Sequence, residues 1–300
     1  MLPAGAKAVQ RTPIESALER QPLPGQPRLC GIVLEVEDVD AARTFYAQVF
    51  GDAGSGWRQG KHSLTYCRGQ HWLELVERAR PHTLTLSGQH QAYYVDARRL
   101  PDVVRQLREA GHEVSEWRED HPAERSVNAY VLDPSGNRVQ LAPSTNEPLL
   151  LHHACIELHD LELAELFYAR TLGGAVDYCH GWAMDDYAEA AAWAEGRDPC
   201  APWTRRFDVR YWDKLRIARP NMQTFVRFGE GLVGLILATE HRQEPPPDQQ
   251  WGTPRLILDS DVPAQQAAAH FASQDLAFER EGSRLFLRDP GGNYVELVCG

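Results

Sequence analysis

The sequence predicts an α+β protein made of four units, each a strand, a helix and then short strands. Three observations carry that prediction. The first is a closing phrase used twice: Val131-Leu-Asp-Pro-Ser-Gly-Asn-Arg-Val-Gln-Leu141 returns as Leu287-Arg-Asp-Pro-Gly-Gly-Asn-Tyr-Val-Glu-Leu297. Each copy is an Asp-Pro-x-Gly turn feeding an alternating strand. The second is an opening phrase, also used twice, that runs strand, Asp, Phe-Tyr, Gly: it spans Leu29 to Gly51 and again Leu151 to Gly173. The third is a pair of further strand-then-helix starts at His90 and Arg255.

Taken in order, Leu29 to Val36 alternates as a strand, and Asp38 heads a helix whose Ala42, Phe45, Tyr46, Val49 and Phe50 fall at helical spacing before Gly51 closes it. His90 to Asp96 is the next strand, followed by a helix with Pro101 near its start. Val103, Val104, Leu107 and Ala110 share one face, and Gly111 ends it. Leu151 to Leu158, Asp160 and Phe167-Tyr-Ala-Arg-Thr-Leu-Gly173 repeat the first unit. Arg255 to Asp259, Pro263 and a helix bearing Ala267, Ala268 and Phe271 open the fourth. The Phe-Tyr pairs lie 122 residues apart (Phe45 to Phe167) and the late turns 156 apart (Asp133 to Asp289), so the second half holds an insertion of about 34 residues. It falls around 180–221 and carries Trp182, Trp193, Trp203, Trp212, Tyr187 and Tyr211, either as a surface subdomain or as a lid over a site. The expected organisation is a mobile arm over 1–28, one domain over 29–142, a linker over 143–150 and a second domain over 151–300.

Composition narrows the function classes. With 43% hydrophobic residues in 300, the chain can bury two cores. A formal charge of −11 argues against binding to nucleic-acid phosphates. No apolar run reaches membrane-spanning length, and the first residues lack the apolar core of a signal peptide. The six cysteines (Cys30, Cys67, Cys155, Cys179, Cys200 and Cys299) form no C-x-x-C pair. They read as reduced, with Cys30 and Cys155 packing as small hydrophobes, which points to a cytoplasmic protein.

The four units, the Phe-Tyr-x₃-Leu-Gly helix ending and the Asp-Pro-x-Gly-Asn-x-Val-Glu/Gln-Leu close resemble the vicinal oxygen chelate superfamily of glyoxalase I, bleomycin and fosfomycin resistance proteins and extradiol dioxygenases. The resemblance covers nearly everything from Arg28 onward apart from the insertion. It implies that βαβββ units pair into cupped sheets and that metal ligands come from the first and last strands of each unit. Those positions are Gly31, Glu74, His90 and Gln140 in the first half and His153, Gly234, Arg255 and Glu296 in the second.

The resemblance implies a divalent metal (Fe, Mn, Zn or Ni) and a small polar or anionic substrate that chelates it through adjacent oxygens, with an enolate-like intermediate in lyase or isomerase chemistry. The expected site is the C-terminal cleft. His153 and Glu296 would hold the metal there, with His241 or Glu240 as a third ligand, and Arg255 would neutralise substrate charge. A cleft using Glu74 and His90, with His121 and Tyr130 as acid–base and positioning groups, is a second possibility, and it fits an extradiol-type dioxygenase less well because Gln140 stands where that class has Glu. Pairing of the second unit with the third would instead bring His90, Gln140 and His153 together. A metal-free binding protein of the resistance type is the alternative outside enzymes. Neither nucleic acid nor membrane is expected as a partner, and a homodimer is possible.

Overall fold

The computed structural model describes residues 13–52, 54–82, 89–118, 127–144, 150–158, 160–180, 223–237 and 255–300. After a short helix α1 (Pro13–Leu18), the first unit runs β1 (Arg28–Val36), α2 (Val39–Phe50), β2 (Trp57–Gln59), β3 (Ser63–Arg68) and β4 (His71–Glu77). The second is β5 (His90–Asp96), α3 (Leu100–Glu109), β6 (Val114–Arg118), β7 (Val127–Leu132) and β8 (Arg138–Ser144). The third is β9 (Leu151–Leu158), α4 (Leu161–Glu165) continued by a π-helical turn (Leu166–Thr171), β10 (Ala175–His180), β11 (Gln223–Phe228) and β12 (Gly231–Leu237). The fourth is β13 (Arg255–Ser260), α5 (Ala264–Ala272), β14 (Phe278–Glu281), β15 (Arg284–Arg288) and β16 (Tyr294–Cys299). Among the described residues no helix is long and apolar enough to cross a membrane.

Helix starts follow the sequence signals. The Asp38 carboxylate accepts from the backbone N–H groups of Asp40 and Ala41, and Gly51 ends α2 in the left-handed region at φ 68°. Asp160 repeats the cap by accepting from Leu163 N at 2.9 Å.

The units pair differently from the expectation. One eight-stranded sheet has the order β14-β15-β16-β13-β1-β4-β3-β2, joining the fourth unit to the first; the other, β10-β11-β12-β9-β5-β8-β7-β6, joins the third to the second. Both joints are antiparallel pairs of first strands, β1 with β13 and β5 with β9. Neither half of the chain therefore forms a paired domain of its own, and 143–150 connects neighbours within one sheet. The reason lies in connection length. Ala97 N bonds Ser144 O and Tyr94 N bonds Leu150 O, so β8 ends and β9 begins at the same end of β5, on its two edges. The longer passage from Glu77 to His90 carries the chain from one sheet to the other.

One continuous core is built from all four principal helices and from apolar residues of most of the strands of both sheets. Across it the repeated phrases meet. The Tyr46 hydroxyl of α2 bonds Asp133 Oδ2 in the second unit's turn at 3.1 Å, and the Tyr168 hydroxyl bonds Asp289 Oδ2 in the fourth unit's turn at 3.0 Å. Asn137 Nδ2 then reaches Glu35 O in β1, and Asn293 Nδ2 reaches Glu157 O in β9. The Asp-Pro turns thus bond a unit in one sheet to a unit in the other. Burial pushes the Tyr46 and Tyr168 hydroxyls well up and raises the Asp133 carboxyl.

The arm expected to be mobile is docked over its described part. Leu23 is buried in the shared core, Leu23 N bonds Thr171 O at 3.0 Å, and Gln21 N bonds Gln274 Oε1 at 2.7 Å. A polar, proline-rich segment conceals two buried apolar residues, Ala17 and Leu23, whose burial favours docking.

Candidate functional site

Because side chains alternate across a strand, the face of each sheet turned away from the core carries its own set of residues. In the first sheet β1 pairs Val33 with Arg255 and with Glu74, while Ile257 pairs with Glu296. The first unit's Gly31 and Glu74 therefore share a face with the fourth unit's Arg255 and Glu296. In the second sheet Ala92 faces both His153 and Gln140, His90 faces Cys155, and Cys155 faces Gly234. The eight positions regroup into two clefts, each drawing on both halves of the chain.

The first cleft is filled by charge. Arg255 Nε lies 2.8 Å from Glu296 Oε2, and Arg255 Nη2 lies 4.0 Å from Glu74 Oε2. Arg284 pairs with the other Glu296 oxygen. Both guanidinium groups sit over the Phe286 ring, at 5.8 and 5.4 Å. Burial lowers the Arg255 pKa, with Glu296 and Glu74 opposing, and an arginine keeps its charge under such a shift. Arg255 and Arg284 each form an ion pair with one oxygen of Glu296, so its countercharge is already supplied by two guanidinium groups. His153 belongs to the other sheet, so the expected His153–Glu296 metal pair does not form. Arg255 here is the partner of Glu296, in place of the expected substrate contact.

The second cleft gathers imidazoles. His90 Nε2 and His153 Nε2 are 3.0 Å apart, with ring centroids 5.1 Å apart at 81°. His152 Nδ1 lies 2.6 Å from His153 Nδ1, and burial pushes His152 down to about 4, which keeps it neutral at physiological pH. The Tyr130 ring lies 6.2 Å from His90, on a residue paired with Gln140. Phe225 packs 5.5 Å from His153 and forms an apolar cluster with Cys155, Leu232 and Ile236. His90, His153 and Cys155 each offer a ligand atom within 4.8 Å of the others, and all three are buried.

These residues fit a metal. Bonds of about 2.0–2.1 Å to two imidazoles at a tetrahedral centre place the nitrogens about 3.3 Å apart, a few tenths of an ångström wider than the 3.0 Å seen here. The residues of the first cleft do not fit one. Glu74 lies there beside Arg255, away from His90. His121, Glu240 and His241, together with most of the insertion, lie outside the described residues. The sequence points to His90, Gln140 and His153, while Cys155 reads as a small core hydrophobe. The available signal was its place two residues beyond His153, on the same strand face.

Residues 29–141 match the model of the Glyoxalase/Bleomycin resistance protein/Dioxygenase superfamily. No curated protein matches the chain. Among solved structures, glyoxalase I from Zea mays superposes with a TM-score of 0.61 at 15% identity, over 91% of this chain and 92% of that one. A protein assigned as a dioxygenase from Bacillus subtilis subsp. subtilis str. 168 gives 0.55 at 9% identity, over 92% and 86%. At such identities the likeness is one of fold. Residues 29–141, well under half of the chain, thus resemble the Glyoxalase/Bleomycin resistance protein/Dioxygenase superfamily, and the chain as a whole shares the fold of glyoxalase I through all four units.

Proposed function

We propose that the protein is a divalent-metal-dependent enzyme whose site is the cleft between the second and third units, acting on a small molecule with adjacent oxygen donors. The observation that carries this reading is the convergence of His90 Nε2 and His153 Nε2 to 3.0 Å in a buried site. When bound, the metal supplies Lewis acidity toward the substrate oxygens. The chain's own groups do the rest. His90 and His153 hold the cation through neutral imidazoles, and His152 fixes the tautomer and orientation of His153. Gln140, on the closing strand, offers a neutral amide oxygen. Tyr130, whose ring lies 6.2 Å from that of His90, is the residue to position substrate or carry a proton. Phe225, Leu232 and Ile236 exclude water and so strengthen every charge interaction at the site.

Lyase or isomerase chemistry is the leading assignment, because the four paired positions of this cleft include no carboxylate. Two histidines with a tyrosine close by also support a second reading, extradiol-type ring cleavage. Oxygen uptake with a catechol separates the two. The test of the shared core of both readings is metal content. Native protein should hold stoichiometric metal, and His90→Ala and His153→Ala should each lose it while keeping their circular dichroism. A native protein free of Mn, Fe, Ni, Co and Zn, and binding its ligands unchanged in excess EDTA, would return the protein to the sequestration class.

A further inference from the structure

We infer that the Cys155 thiolate is a metal ligand of this cleft, standing in for the side chain missing at Gly234, and that it makes the site select thiophilic cations such as Zn²⁺ or Co²⁺ over Mg²⁺ or Mn²⁺. The inference rests on the reading of this cleft as a metal site.

Three observations converge on it. Gly234 occupies a last-strand position of the third unit, corresponding to Gln140 in the second. It offers no ligand, and a Cβ built there meets Cys155 Sγ at 2.4 Å and the Phe225 ring at 3.1 Å. The thiol has thus taken the room of the absent side chain. Strand register then places Cys155 opposite His90 on one side and beside Gly234 on the other, so its sulfur stands at the same place in the sheet as the two imidazoles. Finally, ligand atoms of all three residues lie within 4.8 Å of one another, in a cluster sealed by Phe225, Leu232 and Ile236.

Two imidazoles and a thiolate form a borderline-soft donor set. Such a set favours late first-row cations, whereas carboxylate and water favour Mg²⁺ and Mn²⁺. On coordination the thiol releases its proton to solvent as the sulfur–metal bond forms, with no change of oxidation state.

The experiment uses full-length protein loaded with Co²⁺. An intense near-ultraviolet sulfur-to-cobalt band should appear beside weaker visible bands. Cys155→Ser should remove the first and keep the second, and Cys30→Ser, in the other sheet, should keep both. Visible cobalt bands without a sulfur band in the native protein would overturn the thiolate ligand and leave the His90–His153 site standing. A sulfur band that survives in Cys155→Ser would also overturn it. Absence of Co²⁺ binding would overturn both this inference and the metal reading. Should Cys155→Ser fail to fold, X-ray absorption of the Zn²⁺-loaded native protein decides: one Zn–S path at about 2.3 Å supports the ligand, and nitrogen and oxygen neighbours alone exclude it.

Discussion

Glu296 shows how a residue can be legible while its purpose is not. A carboxylate in an apolar closing strand demands a partner, and that demand is readable in Val-Glu-Leu-Val. The sequence does not say whether the partner is a cation or a metal, because Arg255 and Arg284 reach it only through strand pairing with β13 and β15. Glu296→Ala should cost about 3 kcal/mol in urea unfolding, since it strands the buried Arg255 guanidinium. The Arg284 contact adds little, that side chain being 42% exposed. Metal content should stay unchanged, and a loss of metal in this variant would place the cation in the wrong cleft. Cys155 is the converse case. Its burial was legible from the apolar strand, but nothing local distinguishes a packed thiol from one beside two imidazoles.

At the scale of elements, the repeats encode contacts as well as shapes. The tyrosine of the Phe-Tyr pair in one unit is the partner of the aspartate in the next unit's turn, which accounts for the two phrases being repeated together. Tyr46→Phe and Tyr168→Phe should each lower stability by about 1 kcal/mol and add in the double variant, because the two sites share no residue. Strong non-additivity in thermal unfolding would count against independent ties. The π-helical turn was not foreseen, since its sequence spacing from Asp160 to Gly173 matches that of α2 from Asp38 to Gly51. Thr171 O in that turn accepts from Leu23 N, so the arm and the wide turn are linked. Leu23→Ala should cost about 2–3 kcal/mol and should lower hydrogen-exchange protection around residues 166–174. Unchanged protection there would mean that the arm is held elsewhere.

Over the whole molecule, unit count and unit content were readable, but the partner of each unit was not. Each first strand is an edge that must be covered. Periodicity is the same whether it is covered by the adjacent unit or by a distant one, and only the length of the connections breaks the tie. This exchange moved every candidate ligand into a different set, leaving His90 with His153 and Glu74 with Arg255. The resulting asymmetry predicts one metal per chain, because among the described residues the second cleft brings two imidazoles together while arginines already pair with Glu296 in the first. Elemental analysis giving two would contradict that. With the proposed metal bound at His90 and His153, chelation should lower the melting temperature, since a ligand that favours the folded state stabilises it.

The exchange of partners has a consequence for the chain as a chemical object. A break between Ser144 and Leu150 would yield two fragments, each supplying half of both sheets and one histidine of the facing pair. In neither fragment alone would β5 meet β9, so His90 and His153 would not face each other. Mixed together, they should complement each other into one stoichiometric particle that regains metal binding. The protein is, in this sense, an obligate heterodimer that happens to be written as a single polypeptide.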